Sequence, residues 1–442
     1  MIIADNALRA RAREGRPVQV ALLGAGFMGR GLVNHIERYV PGMRVAGVFS
    51  RDVEKARMAY IGAGVGDVVM ATTKQEVESA IRSSTGVITD DASLLCTADG
   101  IEAIVEVTGS VEFGAKMAMH AIRSGKHLLL NAELDATLGP ILKQYGDAAD
   151  VVVSTCDGDQ PGTELNLFRF VRGMGLKPLL CGNIKALLDF YRTPETQKGF
   201  AEKWKQNPVL CTSFADGSKI SFEQAVVGNA TGMGVARRGM YGYRHDGHVD
   251  QLVNRYDVEE LESLGGIVDY VIGSQPSPGV FVLATCEDKM ERHYLNMYKM
   301  GEGPLYSFYA PYHLCHLEAP FSIARAVLFH DATATPIGAP VVDVIAIAKR
   351  DLNPGDRLDG IGGYTTYGQC ENASTVFSEQ LLPQGLSDRC EVIRPIRRDQ
   401  AISYQDVRLP AGRVCDTLRA EQDAMWGLPS TAAKQEAVGS LA

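Results

Sequence analysis

A glycine-rich turn near the start of the chain constrains the fold more than any other feature of the sequence. The motif Gly24-Ala25-Gly26-Phe27-Met28-Gly29 follows the apolar run VQVALL (18–23) and precedes a segment of helical pattern at 28–39. In such a motif the first glycine allows a tight turn, the second lets the backbone approach a pyrophosphate, and the third lets helix and strand pack closely. The sequence therefore predicts a dinucleotide-binding loop at a helix N-terminus, formed by Gly24, Gly26, Phe27, Met28 and Gly29.

Apolar runs and helical patterns alternate after this turn, which predicts an α/β domain with a Rossmann doubly wound parallel sheet. The further predicted strands are RVAGVFS (44–50), GVIT (86–89), AIVEVTG (103–109), HLLLN (127–131) and VVVST (151–155). GVIT is interpreted as the third strand of the sheet. The predicted helices begin near Asp52 and cover TKQEVESAIRSS, 111–124 and 136–149.

Changes in residue composition and pattern along the sequence divide the chain into four predicted parts. An N-terminal tail (1–16) precedes the Rossmann domain (17–155). Clusters of Gly, Asn, Asp and Thr then indicate a central α+β catalytic domain (156–335), with a helix near 318–329 that returns to a core. The last part (336–442) predicts a small β-rich C-terminal domain followed by a polar tail.

Composition limits the classes of partner and compartment. Of the 442 residues, 45% are hydrophobic, and the net charge of −9 argues against nucleic acid or an anionic membrane as a main partner. The nine cysteines contain no CxxC pair, so neither a zinc knuckle nor a disulfide framework is predicted. No signal peptide or membrane-spanning run is visible, and we expect a cytoplasmic protein.

The end of the second predicted strand bears on the choice of cofactor. NAD enzymes usually place an acid there to hold the ribose 2′-hydroxyl, whereas this chain has Phe49-Ser50-Arg51. A hydroxyl and a guanidinium suit a 2′-phosphate, which favours NADPH over NADH. The alternative is that Arg51 is simply a solvated residue at the start of a helix. Thr108 and Gly109, at the end of AIVEVTG, complete the predicted cofactor site.

Acidic residues follow the last two predicted strands, where open α/β sheets bind ligands. Glu133 follows HLLLN, and Asp157 and Asp159 follow VVVST. In an extended segment Asp157 and Asp159 would share one face, and two carboxylates so placed favour a divalent cation, Mg²⁺ or Mn²⁺, or a substrate donor between them. The alternative is a turn capped by the two aspartates.

Further polar candidates lie between residues 183 and 238. Lys185 ends the cluster GNIK, and Asp216, Lys219 and Glu223 belong to SFADGSKISFEQ. On a helix, Lys219 and Glu223 could equally form a plain surface ion pair. Asn229, Arg237 and Arg238 lie in GNATGMGVARRG, where arginines among backbone amides can hold a phosphate or carboxylate, or form a solvated interface.

Several segments together resemble one family. They are GAGFMGRG, VEVTG, GKHLLLNAELDATLGPIL, DGDQPG, GNIKALLD and VIAIAKRDLNPGDRLDGIGGY. The chain resembles the homoserine-dehydrogenase-like oxidoreductases that carry a C-terminal SAF domain, and within that group the deoxyxylulose phosphate reductoisomerase-like branch. Homoserine dehydrogenases have a catalytic lysine where this chain has Glu133, which speaks against homoserine oxidation itself. Asn131-Ala-Glu133 and Asp157-Gly-Asp159 are similar in type to the acidic motifs of reductoisomerases.

The resemblance implies an NADPH-dependent reductoisomerase that converts 1-deoxy-D-xylulose 5-phosphate to 2-C-methyl-D-erythritol 4-phosphate, and a homodimer. In that scheme Asp157 and Asp159 bind metal and substrate, with Glu133 or Glu223 completing the metal shell. Lys185 and Lys219 orient the substrate or move protons, and Arg237 and Arg238 hold its phosphate. Asp216 and Asn229 are further candidates for substrate contact.

Two other functions remain open at this point. One is an NAD(P)-dependent dehydrogenase of a small hydroxy acid or branched sugar acid, with lysine and carboxylate as the acid–base pair. The other is a regulatory protein that senses NADPH without turnover, which the dense polar clusters after Cys156 disfavour.

Overall fold

The computed structural model describes residues 2–426, which separate into two compact units. Within the described residues, the first unit comprises residues 2–159 and Leu314–Thr335, and the second comprises Gln160–His313 and residues 336–426. The division differs from the predicted one, because the predicted central and C-terminal domains share one unit and residues 314–335 return to the N-terminal one. The part of the predicted polar tail after residue 426 lies outside the described residues.

The elements are numbered in chain order. The strands are β1 (Val18–Leu23), β2 (Met43–Phe49), β3 (Val68–Met70), β4 (Gly86–Thr89), β5 (Ala103–Glu106), β6 (His127–Leu130), β7 (Val153–Thr155), β8 (Lys177–Lys185), β9 (Tyr243–Arg244), β10 (Ile267–Ile272), β11 (Gly279–Thr285), β12 (Leu305–Ala310), β13 (Val342–Ala348), β14 (Thr366–Asn372), β15 (Glu391–Val392) and β16 (Val407–Arg408). The α-helices are α1 (Ile2–Arg13), α2 (Phe27–Tyr39), α3 (Val53–Ala63), α4 (Lys74–Arg82), α5 (Ala92–Thr97), α6 (Val111–Arg123), α7 (Ala132–Ala148), α8 (Gln160–Gly173), α9 (Pro194–Trp204), α10 (Pro208–Ala215), α11 (Ser218–Thr231), α12 (Val258–Ser263), α13 (Lys289–Met297), α14 (Cys315–Phe329), α15 (Ala373–Ser378) and α16 (Val414–Met425).

The first unit is built on a seven-stranded sheet in the order β3-β4-β2-β1-β5-β6-β7, and every pairing in it is parallel. The order reverses direction between β1 and β5, so right-handed crossovers place helices on both faces of the sheet. The strands are short apolar runs with little alternation, as expected when both faces are covered. The predicted Rossmann doubly wound sheet is confirmed.

Local details of this unit correct four predictions. Residues 2–13 form α1, whose Ala4 and Leu8 are buried in the core, so the predicted N-terminal tail was wrong. GVIT is the fourth strand, because the short β3 precedes it. VVVST is accordingly the seventh strand in the chain. α7 begins at Ala132, since the side chain of Asn131 caps it by accepting from the N–H of Leu134.

The predicted returning helix is present as α14, and it belongs to the first unit. Ala319, Ile323 and Ala324 are buried in the same apolar cluster as α2 and β1. The helices α2 and α14 approach closely at Gly31, where a Cβ would meet the ring of His316 at 2.9 Å. Apolar burial on this face therefore explains why a segment so distant in sequence joins the Rossmann core.

The second unit is built on a mixed sheet in the order β12-β11-β8-β10-β9, in which β8 is parallel to β10 and antiparallel to β11. The predicted central α+β arrangement is confirmed. The C-terminal residues add two small antiparallel pairs, β13-β14 and β15-β16, to the same unit. This region is β-rich as predicted, and its assignment as an SAF-like domain stays a prediction. Across residues 2–426, no helix has the length and apolar character needed to cross a membrane.

Candidate active site

The glycine loop after β1 has the close packing that the motif predicts. Gly24 adopts a φ of +127°, and its Cβ position lies 3.2 Å from the side chain of Val107. A Cβ at Gly29 would collide with the carbonyl oxygen of Gly24. These two glycines are therefore required by the protein itself, because the turn and the first turn of α2 occupy the space of a side chain.

The second glycine of the motif, Gly26, has a different role. The Cβ position of Gly26 has no neighbour within 4 Å, so nothing in the described protein demands a glycine there. Gly26 is the N-cap of α2, no side chain caps this helix, and its first turn carries no acid. Uncapped N–H groups beside open space suit a pyrophosphate. The loop thus fits an NAD(P) cofactor.

At the end of β2, the two predicted ribose contacts lie in different environments. Ser50 is buried, and its hydroxyl accepts a hydrogen bond from the N–H of Asp52 at 3.2 Å. Arg51 is exposed at the start of the next turn. Asp52 stands at the N-cap position of α3 without a side-chain capping hydrogen bond, and its carboxylate lies 3.5 Å from the ammonium of Lys55, which partly neutralises this acid. The predicted role of Ser50 and Arg51 in binding a 2′-phosphate stays a prediction.

A buried acid that the sequence analysis missed lies at the end of β5. The carboxylate of Glu106 accepts hydrogen bonds from the N–H of Thr108 at 2.8 Å, from the hydroxyl of Thr108 and from the side-chain amide of Asn131. Burial raises its pKa to about 7, and the negative charge of Glu133 acts in the same direction. An acid inside the apolar run AIVEV was the available signal, because buried acids need partners.

Glu133 and Asp135 occupy the first turn of α7, and both are buried. Neither oxygen of Asp135 has a hydrogen-bond partner within the described part of the chain, and burial raises its pKa to about 7. Asp135 therefore exchanges a proton near neutrality. Glu133 lies close enough to Glu106 for their charges to interact, but its predicted catalytic role stays a prediction.

The pair Asp157 and Asp159 does not form the predicted extended segment. Residues 157 and 158 lie in a turn, and Gly158 has a φ of +79°. Asp157 is fully buried, its carboxylate lies 3.5 Å from Arg325, and its N–H donates to the hydroxyl of Ser322 at 2.6 Å. Asp159 is half-buried immediately before α8.

This donor set does not fit the predicted divalent metal. Arg325 already supplies a positive charge to Asp157, and the two aspartates no longer share a strand face. Within residues 2–426 there is no group of three His, Cys, Asp or Glu side chains that could hold a metal ion. The assignment of Asp157 and Asp159 as metal ligands is therefore corrected, and Asp157 forms a structural ion pair between β7 and α14.

In the second unit, a polar cluster forms around Lys185 at the end of β8. The ammonium of Lys185 donates to Gln160 Oε1 at 2.9 Å and to Glu223 Oε2 at 3.3 Å. Asn183 lies on the same face of the strand and donates to the same two oxygens, at 3.2 Å in the case of Glu223. Lys219 approaches the other oxygen of Glu223 at 3.9 Å. Lys185, Lys219 and Glu223, which the sequence predicts as catalytic, are therefore brought together.

The burial of this cluster decides between the two interpretations of Lys219 and Glu223. Their side chains are only 15% and 4% exposed, so they do not form the alternative surface pair. Lys185 is 17% exposed, whereas Asn183 and Gln160 are buried. The lysine side chains are therefore the partly exposed end of the cluster, and the amide side chains of Asn183 and Gln160 are its buried end. A buried cluster of this kind, with a reachable ammonium, is suited to proton transfer.

A second layer lies beneath the cluster, and the sequence analysis did not predict it. Glu164, four residues after Gln160 on α8, accepts a hydrogen bond from the Gln224 amide at 3.1 Å. Burial raises the pKa of Glu164 well above its usual range, and the negative charge of Glu223 raises it further. Both effects favour the neutral form of Glu164. The sequence carried no signal for it, because Glu164 is an ordinary helix residue until α8 is packed.

Asp216 and Asn229 both have partners within the second unit. Asp216 is buried, pairs with the ammonium of Lys349 at 2.7 Å and caps α11 through the N–H of Ser218. Asn229 accepts from the N–H groups of Val341 and Val342 and donates to the carbonyl of Val342. Both side chains attach the C-terminal strands to the core of the second unit. Their predicted contact with a substrate stays a prediction.

The two arginines predicted to hold a phosphate already have other partners. Arg238 forms ion pairs with Glu371 at 2.7 Å and Glu379 at 2.6 Å. Arg237 donates to the carbonyls of Met240 and Tyr241 and lies over the Tyr241 ring. A phosphate would have to displace two carboxylates from Arg238. The phosphate site at Arg237 and Arg238 stays a prediction.

Comparison with known proteins bears on the second unit. Residues 158–319 match the family model described as the catalytic domain of the oxidoreductase DRL. This region contains Lys185, Lys219 and Glu223. No curated protein gives a significant match.

Solved structures give weaker similarities. An oxidoreductase from Agrobacterium radiobacter, in complex with NAD⁺, L-tartaric acid and magnesium, is 14% identical, with a TM-score of 0.29, over 38% of this chain and 44% of that one. Apo scyllo-inositol dehydrogenase from Lactobacillus casei is 10% identical, with a TM-score of 0.41, over 72% and 89%. Myo-inositol dehydrogenase from the same organism, with NAD(H) and myo-inositol, is 17% identical, with a TM-score of 0.30, over 41% and 49%. The first structures matched are covered over less than half of their own length, and no functional argument rests on these similarities.

Each unit carries one feature of the candidate site. One has a parallel Rossmann sheet with an open glycine loop that fits a dinucleotide, and the other has most of the region that is similar to an oxidoreductase catalytic domain.

Proposed function

We propose that the protein is a dehydrogenase that transfers a hydride between NAD(P)H and the carbinol or carbonyl carbon of a small hydroxy acid or branched sugar acid. The observation that carries this proposal is the position of Lys185. Its ammonium is held by Gln160 and Glu223 in a buried polar cluster, inside the region similar to an oxidoreductase catalytic domain.

Lys185 is the acid–base group in this proposal. In the reduction of a carbonyl, the cofactor supplies the hydride to carbon, and the Lys185 ammonium gives a proton to the oxygen that becomes the hydroxyl. In the oxidation of an alcohol the same nitrogen accepts that proton. Asn183 and Gln160 fix the neighbouring oxygens, so Lys185 is presented in one orientation rather than as a mobile surface lysine.

The charges around Lys185 support an anionic substrate. Two lysines approach the single carboxylate of Glu223, and burial raises the pKa of the acid beneath them, Glu164, which favours its neutral form. Lys185, Lys219 and Glu223 together carry one formal positive charge. A carboxylate or phosphate on the substrate would balance that charge, which supports an acid or a phosphorylated sugar rather than a neutral polyol.

For the cofactor we propose a preference for NADPH over NADH. The support is the exposed Arg51 just after β2, together with the absence of an acid at Phe49-Ser50-Arg51. A divalent metal has no place in the proposed chemistry, because the aspartates predicted to bind it do not form a suitable donor set.

The first test is an assay of NADPH and NADH turnover at 340 nm. The substrates are small hydroxy acids, branched sugar acids, neutral inositols and 1-deoxy-D-xylulose 5-phosphate, each with Mn²⁺ and with EDTA. We expect turnover with an acid, in EDTA, and with NADPH preferred. Conversion of deoxyxylulose phosphate that depends on Mn²⁺ would replace the dehydrogenase by the reductoisomerase.

Lys185→Met then tests the acid–base assignment. Loss of a proton donor of this type lowers kcat by roughly a hundredfold to ten-thousandfold, and we expect a similar loss here with NADPH binding unchanged. Lys177→Met is the matched control, because Lys177 begins the same strand and pairs with Glu262 at the surface. Equal activity of the two variants would remove Lys185 from the mechanism.

A further inference from the structure

Glu106 lies where the two halves of the Rossmann sheet diverge. It is the last residue of β5, and β5 pairs with β1 through Leu23 and Glu106. The order of the sheet reverses between these two strands, and in open α/β sheets ligands bind in the crevice at such a point. The glycine loop begins directly after Leu23, and Gly24 packs against Val107. Glu106 is thus adjacent to the cofactor loop without being part of the glycine motif.

The carboxylate of Glu106 connects two chain segments that follow adjacent strands. One oxygen accepts from the N–H and hydroxyl of Thr108, in the turn after β5. The other accepts from the amide of Asn131, directly after β6, and the other end of that amide caps α7. A single carboxylate therefore fixes both the 107–110 turn and the start of α7. We refer to Glu106, Thr108 and Asn131 as the strand-end clasp.

The clasp is strongest with an ionised carboxylate. A carboxylate accepts on both oxygens, whereas a protonated acid turns one oxygen into a donor. The Thr108 hydroxyl can reverse and accept from that donor, but neither of the two N–H groups can become an acceptor. Protonation therefore weakens the clasp, because the two N–H groups then face a neutral acid in place of a charged acceptor. The other charged group acting on Glu106 is Glu133 on α7, and Gly114 of α6 packs against the Glu106 side chain without adding a charge.

We propose that Glu106 is a positioning residue for the nicotinamide end of NAD(P)H: its ionised carboxylate holds the Thr108 turn and Asn131 in the arrangement that receives that end of the cofactor. Affinity for the intact cofactor then depends on the charge of Glu106. Affinity of the pyrophosphate loop, in which Gly24 packs against Val107, does not depend on that charge.

The direction of the pH dependence follows from burial. The pKa of Glu106 is raised to about 7, chiefly because burial disfavours the charge, while the hydrogen bonds from Thr108 and Asn131 oppose that rise. Glu106 is ionised above this pH and neutral below it. NAD(P)H affinity is therefore expected to fall as the pH is lowered from 8 to 6.

The test measures binding of two probes, so it needs no substrate. NADPH is titrated by its fluorescence between pH 6 and 8, and 2′-phospho-ADP-ribose, which lacks nicotinamide but carries the same phosphates, is titrated by calorimetry. We expect Glu106→Gln to weaken NADPH binding about tenfold at pH 8 and to flatten the pH profile that remains after the phospho-ADP-ribose profile is divided out. Binding of phospho-ADP-ribose should stay within about twofold.

Glu102→Gln is the matched control, because Glu102 directly precedes β5 at its other end and pairs with Arg11. It should leave both probes unchanged. If Glu106→Gln weakens both probes equally, Glu106 is a general structural residue and the proposal is overturned. Unchanged NADPH binding with an unchanged pH profile overturns it as well. Neither result depends on whether the dehydrogenase activity proposed above is found.

Discussion

The two units form their sites from different materials. In the first unit the cofactor loop consists of backbone, with glycines whose conformation or missing side chain creates the space for a pyrophosphate. In the second unit the site consists of side chains from α8, β8 and α11 that converge on Glu223. The residues that form the backbone site are neighbours in the sequence. The residues that form the side-chain site come from three distant segments and meet only after these have packed. Substitutions should therefore damage the two sites in different ways.

Glu223→Ala should give the largest effect and should reach beyond the site. Removing this carboxylate takes away a hydrogen bond from Asn183 and the ion pairs with Lys185 and Lys219, in a largely buried cluster. Breaking a buried ion pair by removing one partner typically costs about 3–5 kcal/mol, so we expect a loss of that size in the free energy of unfolding. Urea denaturation monitored by circular dichroism measures it. A loss below about 1 kcal/mol would mean that the cluster does not support the fold.

Gly26→Val should abolish cofactor binding without comparable damage to the fold. The Cβ position of Gly26 has no neighbour within 4 Å among the described residues, and a valine side chain there would occupy the space beside the α2 N-terminus. We expect NADPH affinity to fall at least a hundredfold, which corresponds to about 2.8 kcal/mol. The unfolding midpoint should change little. Gly62→Val, on α3 and also without a neighbour at its Cβ position, is the control that should bind NADPH normally.

Asp135→Asn should give the smallest effect, and its sign depends on pH. Burial raises the folded-state pKa of Asp135 from 3.8 to about 7, so the folded protein binds a proton more tightly than the unfolded chain does. The stability associated with that proton is present at pH 4 and is lost as the pH rises through about 7. The asparagine stays neutral, so the variant should be more stable than the parent at pH 8, by about 1 kcal/mol or more, and nearly equal at pH 4.

Thermal unfolding at both pH values measures this difference. Glu133→Gln is the comparison variant, because Glu133 is buried in the same helical turn. A parent protein that is as stable as Asp135→Asn at pH 8 would show that Asp135 has a partner for its charge.

The contrast between the units also explains which predictions succeeded. Most strands of the Rossmann sheet were predicted to within a few residues, because β1, β2, β4 and β6 are apolar runs ended by turn residues. The short β3 was missed, since three residues carry too little pattern. Lys185 and Glu223 were predicted as site residues from residue type and local context, although nothing in the sequence showed that they would meet.

Four of the predicted site residues share one property. Asp157, Asp216, Asn229 and Arg238 are polar residues near glycines, and such segments are typical of loops that contact ligands. Each instead satisfies a buried partner far away in the chain, such as Arg325 for Asp157 and Lys349 for Asp216. A polar residue that neutralises the interior and one that faces a substrate have the same appearance in a sequence.

The sequence by itself determined the parallel sheet and the glycine loop, since these depend on periodicity and on glycines within a few residues of one another. Only the tertiary structure decided that α14 joins the first unit, that Asp157 serves an arginine rather than a metal, and that Glu106 and Glu164 are buried acids with raised pKa values. The physical reason is that the charge state and hydrogen bonding of a side chain depend on what surrounds it. That environment comes from segments up to about 170 residues apart, as between Asp157 and Arg325, and no local pattern records it.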